Sequence, residues 1–125
     1  MSEEANVRKN VLALTKRLGG AQVLWAVPAS VLLDVQANTQ RLEHDGVLAE
    51  AAGQLHYYRK GLVGALHEKI PLADVTSFEE TVAKFGDGDQ QLILLHRSSG
   101  PPWGAICDDP DRHAFLVGKL DEKSG

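Results

Sequence analysis

The chain has 125 residues, of which 43% are hydrophobic and 24% charged, proportions typical of a globular domain that can bury a core of its own. Its formal net charge of −4 argues against a protein whose main role is to coat nucleic acid, because such binding depends on Lys and Arg that neutralise phosphates. The single cysteine excludes an internal disulfide framework and suits a reducing compartment.

We expect no targeting signal in the first residues. The segment Met1-Ser2-Glu3-Glu4 is acidic and is followed by no apolar signal-peptide core. Apolar runs elsewhere stay well below the ~20 residues needed to span a bilayer. We therefore expect a cytoplasmic protein that forms one domain over residues 1–125.

Residues 3–18 are predicted to form an amphipathic helix. Acidic residues lie in its first turn, Lys16 and Arg17 lie in its last turn, and Gly19-Gly20 ends it. Its apolar stripe recurs at helical spacing and consists of Val7, Val11, Leu14 and Leu18. This stripe can pack on the domain's own sheet, or it can mediate self-association or docking to a partner. Together with Trp25 and Trp103, the stripe forms the candidate interface.

The next segments are predicted to be strands and turns. Residues 22–27 form a strand that ends at Pro28, and residues 30–44 favour a strand up to about Val35, then a loop or helical turn. The pair Asp45-Gly46 indicates a turn. Residues 46–51 and 55–59 form one strand or two, with Ala52-Gly53 as a bulge.

The second half alternates strands with turns and closes with a helix. We expect strands over residues 65–72, 76–84, 91–96 and 102–107, with a bend at residues 71–74 and turns at residues 86–89 and 98–101. A helix is predicted over residues 109–122, because Asp109 is a good N-cap and Pro110 suits the first helical position. The fold class is therefore α+β, with an antiparallel sheet as its main part.

Three segments of this half resemble the bacterial pleckstrin-homology-like (PH-like) domains. They are residues 56–64 (HYYRKGLVG), 67–79 (HEKIPLADVTSFE) and 109–116 (DPDRHAFL), within a resemblance that covers about residues 45–121. The resemblance implies a strongly bent seven-stranded antiparallel barrel or sandwich, capped by the C-terminal helix. The chain departs from the family pattern in the length of residues 28–44, in Ala52-Gly53-Gln54, and in its added N-terminal helix.

The resemblance also implies a function, namely non-catalytic binding or scaffolding in a bacterial or phage cytoplasm. Many bacterial members bind proteins or self-associate, so a protein partner or a second copy is expected, with no cofactor, no metal and no catalytic residue. The alternative is an adaptor for anionic lipid or phosphoinositide. Lipid-binding relatives use basic residues of the first loops, and Arg59, Lys60 and Lys69 are the candidates here.

A small hydrolase is the third hypothesis. His56 and His67 can face each other across an antiparallel strand pair, where two imidazoles and one further ligand could hold zinc. Cys107 beside Asp108 could serve as a nucleophile if a histidine lies nearby in space. The ordinary alternatives are a pair of sheet histidines and a buried structural thiol.

Overall fold

The computed structural model describes residues 3–35, 41–85 and 88–124. It contains two helices, a short 3-10 turn and seven strands: α1 (Glu3–Arg17), β1 (Val23–Leu33), β2 (Arg41–Ala51), β3 (Gln54–Lys60), β4 (Ala65–Pro71), the 3-10 turn (Leu72–Asp74), β5 (Val75–Phe85), β6 (Gly88–Arg97), β7 (Trp103–Ile106) and α2 (Pro110–Ser124). The strands are hydrogen-bonded in the order β4-β3-β2-β1-β7-β6-β5. An antiparallel α+β arrangement with a helix at each end, as predicted, is confirmed.

Contacts within the chain divide it into two compact units. Unit 1 comprises Met1–Ala29 and Asp45–Ala73, and unit 2 comprises Ser30–His44 and Asp74–Gly125. The prediction of one domain over residues 1–125 remains a prediction.

Unit 1 is built on the meander β2-β3-β4. Ala52 and Gly53 both have positive φ, 54° and 74°, which makes them the two-residue turn that joins β2 to β3. The predicted bulge at these residues is therefore wrong, and the two strands are separate. On one face of the meander, Val47, Ala49 and Tyr58 pack with Leu14 of α1. Alternation along each strand places these side chains on the same face.

Helix α1 covers that face, which is the first of the two alternatives left open for its apolar stripe. Leu14 is fully buried, and Val7 and Leu18 pack against the same cluster. The helix ends where expected, because Gly19 and Gly20 adopt the positive φ angles of a helix stop. Three of the four stripe residues, Val7, Leu14 and Leu18, therefore pack within unit 1.

Two predicted strand ends are wrong. The chain does not turn at Asp45-Gly46, because β2 runs through both residues to Ala51. Asp45 has a φ of 64°. Gly46 lies against the ring of Tyr57, so the glycine allows the backbone of β2 to approach this ring closely. Pro28 lies inside β1, before the residues from Ser30 onward that pair with β7.

Unit 2 is built on the strands β7, β6 and β5. Ser30–Leu32 of β1 pair with β7, β7 pairs with β6, and β6 pairs with β5 over nearly its full length. Helix α2 begins as predicted, because Asp109 Oδ1 accepts the N–H of Asp111 at 2.8 Å. Leu116 and Leu120 of α2 are buried. The predicted elements at residues 36–40 and at residues 86–87 lie outside the described residues.

The start of β5 and the end of β6 are joined by a polar cluster around Asp74. Its carboxylate accepts hydrogen bonds from Ser98, from Ser99 and, at 3.3 Å, from Nε of Arg97. The hydroxyls of Ser98 and Ser99, followed by Arg97, lower the pKa of Asp74 to about 2. The cluster fixes the bend that the sequence predicts at residues 71–74.

Candidate functional site

The tip of the β3–β4 hairpin, residues 61–64, presents two large aliphatic side chains to solvent. Leu62 is 106% exposed and Val63 is 98% exposed, so neither side chain packs on unit 1. The backbone of the tip is ordered by a hydrogen bond from the N–H of Gly61 to the carbonyl of Gly64 at 3.0 Å. Gly64 has a φ of 76°, which favours glycine at that position. The tip is thus a closed turn that carries an apolar pair.

Helix α1 holds the base of this tip in place. Asn10 is buried, and its Oδ1 accepts the backbone N–H of Lys60 at 2.8 Å. The Nδ2 of Asn10 in turn donates to the carbonyl of Asn6 at 3.0 Å within α1. A buried amide whose donor and acceptor are both used is a rigid support. The last residue of β3 before the tip is therefore fixed to the helix.

The candidate basic residues do not all lie at the tip. Arg59 and Lys60 directly precede it, and Lys60 is exposed. Lys69 pairs with His56, whereas Ala65 pairs with Lys60 beside the tip. Four residues of strand separate Lys69 from Ala65, or about 13 Å. Arg59 and Lys60 are the last two residues of β3 and pair with Leu66 and Ala65 of β4, so their predicted position in a loop is wrong.

The charge is unevenly divided between the two units. Unit 1 holds seven Lys and Arg against five Asp and Glu, a formal charge of +2. Unit 2 holds six Lys and Arg against twelve Asp and Glu, a formal charge of −6. The apolar tip therefore belongs to the positive unit of a protein that is acidic as a whole.

His56 and His67 meet on the face of unit 1 that α1 covers. They contact each other across the antiparallel pair β3 and β4, as the sequence allowed. Nδ1 of His56 lies 2.8 Å from Nε2 of His67, and the two rings stack at 5.1 Å between centroids. The other nitrogen of His56 contacts the carbonyl of Ala51 at 3.1 Å. The other nitrogen of His67 accepts Nε–H of Arg17 at 3.0 Å. The pair therefore links β3 and β4 to the last turn of α1.

The two ends of this chain of hydrogen bonds determine the tautomers. A carbonyl can only accept, so Nε2 of His56 must carry a proton. The Nε of Arg17 can only donate, so Nδ1 of His67 must be bare. It follows that Nε2–H of His67 donates to Nδ1 of His56, and that both rings are neutral. All four ring nitrogens are used, which leaves none for zinc in this arrangement.

Burial and neighbouring charges favour the same neutral state. Desolvation of its ring lowers the pKa of His56, against the opposing effect of the hydrogen bond to Ala51. Desolvation, followed by His56, Arg17 and Lys69, lowers the pKa of His67 to about 4. Among the residues that the structure describes, no group of three or more His, Cys, Asp and Glu side chains is placed to hold a metal ion.

The neutral, hydrogen-bonded histidine pair predicts a loss of stability in mild acid. The pKa of His67 is lower in the folded state than the unfolded value of 6.5, so the unfolded state binds more protons between pH 6.5 and about 4. Stability is therefore complete above pH 6.5 and falls as the pH drops through that window. For a half-buried ring, after allowance for solvent screening, we expect a decrease of about 1–2 kcal/mol in the free energy of unfolding.

The variant His67→Gln provides the comparison for this prediction. A glutamine amide can donate to His56 and accept from Arg17 without becoming protonated. Urea unfolding from pH 7.5 to 4 should show a shallower pH dependence in this variant than in the parent protein. Equal slopes in the two proteins would mean that His67 is not the group that titrates.

The candidate interface predicted from the sequence, the α1 stripe with Trp25 and Trp103, lies mostly inside the fold. Leu14 is buried and Val11 is half-buried. Trp25 is half-buried, and its Nε1–H donates to Glu50 at 2.9 Å in unit 1. Trp103 is buried in β7 of unit 2. These residues stabilise their own units, and the two most exposed large hydrophobic side chains of the described residues lie elsewhere, at the hairpin tip.

Cys107, the candidate nucleophile, follows β7 and is buried. Burial, followed by the nearby charges of Asp108 and Asp109, raises the pKa of this thiol to about 11. A thiol with such a pKa is protonated at neutral pH and is a poor nucleophile. Its environment is that of a structural residue, the ordinary alternative considered from the sequence.

Comparison with known proteins gives no relative: no family model matches the chain, and no curated protein matches it. Within residues 3–35, 41–85 and 88–124, neither helix is long and apolar enough to cross a bilayer. The sequence predicts a glycine-containing connection at residues 59–64, but Leu62 and Val63 were not identified as a candidate site. Two glycines around two aliphatic residues are typical of a turn that cannot bury them.

Proposed function

We propose that the protein is a non-catalytic binding module of PH-like type, located in a bacterial cytoplasm, and that the hairpin tip is its contact site. The strand number supports this proposal. Seven antiparallel strands followed at once by α2 agree with the strand number and the C-terminal helix that the PH-like resemblance implies. Fold by itself is weak evidence for function, so the site must carry the proposal.

The main support for the hairpin tip as the contact site is the full exposure of Leu62 and Val63 on an ordered turn. Placing two adjacent aliphatic side chains in water opposes the hydrophobic effect, by about 1.5–3 kcal/mol for each residue relative to full burial. Nothing in the packing of unit 1 requires them there. Aliphatic residues at a fixed tip are suited to insertion into another apolar phase.

The chemistry around the tip favours an anionic membrane surface as that phase. Arg59 and Lys60 lie directly before the tip, in the unit with a formal charge of +2. A basic residue near an anionic bilayer contributes about 1 kcal/mol, and buried aliphatic groups add to this attraction. Since the cytoplasmic leaflet carries anionic lipid, a cytoplasmic protein would meet such a surface.

Vesicle flotation tests this proposal. We expect the protein to float with vesicles that contain phosphatidylglycerol and to remain unbound with pure phosphatidylcholine. Changing Leu62→Ser and Val63→Ser together should weaken binding about 30-fold or more, because the apolar contribution is lost while the charge is unchanged. Folding should be unaffected, since neither side chain packs in the protein.

The basic residues require a matched control. Arg59→Ala with Lys60→Ala should reduce binding about 30-fold, which corresponds to about 2 kcal/mol for two charges. Lys119→Ala with Lys123→Ala removes the same charge from α2 and should have little effect. If both charge pairs weaken binding equally, only net charge matters, and the tip is not the contact site.

Protein binding is the second candidate, and the same exposed pair favours it. Leu62 and Val63 could insert into an apolar pocket of a partner or of a second copy. Light scattering over a concentration series then becomes decisive. An oligomer that dissociates with Leu62→Ser and Val63→Ser, in a protein that does not float with vesicles, would favour self-association over membrane binding.

A further inference from the structure

Strand β5 lies at one end of the strand order and is hydrogen-bonded to β6 alone among the described strands. It is 11 residues long. The strand at the other end, β4, has 7 residues and carries Lys69 and Pro71. Lysine and proline on an edge strand discourage pairing with another chain. Strand β5 contains no proline, and its one lysine, Lys84, lies next to its end at Phe85, so residues 76–82 are the more open template for an added strand.

A small pocket lies beside this edge, within unit 2. It has a volume of about 210 Å³ and is lined by Glu80, Thr81, Val82, Gln91 and His113. Strand β5 supplies three of these residues, β6 supplies Gln91, and α2 supplies His113. A segment that paired with β5 would therefore have a recess for a side chain on the α2 side of the sheet.

The recess combines the carboxylate of Glu80 with a buried imidazole nitrogen that lacks a hydrogen-bond partner among the described residues. His113 is 7% exposed, and its Nε2 lies 2.8 Å from Glu80 Oε1. A carboxylate only accepts, so a proton is on Nε2, and in the tautomer that carries this proton alone Nδ1 is bare. Within the described residues, this buried Nδ1 has no hydrogen-bond partner. The carboxylate of Glu80, at the rim of this recess, suits a cationic group with several N–H donors.

A second copy of the chain does not fit this edge. If two β5 strands paired antiparallel about their centres, Glu80 of one copy would lie directly opposite Glu80 of the other. Like charges directly opposite each other destabilise a strand pair. Unit 2 also has a formal charge of −6, which disfavours self-pairing and favours a basic partner.

The geometry points to a peptide-binding site at the β5 edge: an extended basic segment of another protein adds as a strand to β5 and places a Lys or Arg side chain in the recess beside Glu80 and His113. Backbone hydrogen bonds supply sequence-independent affinity, and the recess selects the basic residue. This site is separate from the hairpin tip in unit 1 and does not depend on the proposed membrane function.

A synthetic peptide of about nine residues that alternates Lys and Val tests this site, since this length spans one edge strand. NMR titration of the full chain should shift the amide signals of β5 at about 1 mM peptide or less. Amides of β5 that point away from β6 should also exchange more slowly with solvent when the peptide is bound, because they gain hydrogen-bond partners. The same peptide with Glu in place of Lys should not bind.

Two single-charge variants provide a matched pair. Glu80→Gln removes the carboxylate of the recess and should weaken binding about tenfold. Glu79→Gln removes the neighbouring charge, which lies on the opposite face of β5, and should weaken binding by about twofold at most. Equal losses in the two variants, or no slowing of β5 exchange, would overturn the proposal.

The hairpin variant separates this site from the proposed function. Leu62→Ser with Val63→Ser should leave peptide binding unchanged. Peptide shifts that disappear in this variant would place the peptide on the hairpin tip and would overturn the β5 assignment. Failure of vesicle binding in the flotation assay would leave the β5 result unaffected.

Discussion

We expect Leu14→Ala to lower the free energy of unfolding by about 3 kcal/mol, since the substitution removes a fully buried side chain from the contact between α1 and the sheet. Leu14 packs with Val47, Ala49 and Tyr58, and the cavity would lie between a helix and a strand pair. Urea unfolding followed by circular dichroism measures this effect. The same change should loosen the support of the hairpin tip, because α1 also holds Lys60 through Asn10.

Leu12→Ala is the control in the same helix. Leu12 is 60% exposed, so its truncation should change the free energy of unfolding by less than about 0.5 kcal/mol. The comparison keeps residue type and helix propensity the same in both variants. Similar values for the two variants would contradict the placement of the apolar stripe against the sheet.

Gly46→Ala should lower the free energy of unfolding by a comparable amount. The cause here is overpacking, whereas Leu14→Ala leaves a cavity. A Cβ at residue 46 would lie 2.6 Å from Cζ of Tyr57 and 2.8 Å from the backbone oxygen of Tyr58. The ring of Tyr57 cannot move easily, because it is fully buried and its hydroxyl donates to the carbonyl of Ala29 at 3.1 Å. The same hydroxyl accepts the N–H of Gly46 at 2.9 Å. We expect a loss of about 3 kcal/mol in urea unfolding.

Gly118→Ala is the control for this substitution. Gly118 lies in α2, a Cβ there would meet nothing within 4 Å, and its φ is not positive. Alanine has the higher helix propensity, so this variant should be more stable by up to about 1 kcal/mol. The two glycine variants should therefore change stability in opposite directions. A stable Gly46→Ala variant would mean that β2 does not pass so close to Tyr57.

The helices and most strands could be predicted from local signals. The spacing of the apolar residues in α1 and the Asp109-Pro110 start of α2 depend only on neighbouring residues, and both predictions are confirmed. Asp45-Gly46 is different. This dipeptide is typical of turns, but here the glycine is required by Tyr57, which lies 11 residues further along the chain. A tertiary contact of this kind has no local signature.

The candidate site was predictable only in part. The histidine pair could be expected, because the turn near residues 61–64 brings His56 and His67 to adjacent strands. The role of Arg17 could not, since the contact with His67 spans 50 residues. The exposure of Leu62 and Val63 was also hidden, because aliphatic residues in a sequence favour burial until the surrounding structure shows that they have nothing to pack against.

Quenching by brominated lipid tests the central claim, membrane insertion of the hairpin tip, most directly. A Leu62→Trp variant places a fluorophore at the tip, and Leu24→Trp places one at another exposed apolar position of unit 1. The unmodified protein gives the constant background of Trp25 and Trp103. With anionic vesicles, we expect strong quenching for Leu62→Trp and no more than background quenching for Leu24→Trp. Equal quenching at both positions, or none at residue 62 when the protein is bound, would contradict insertion of the tip.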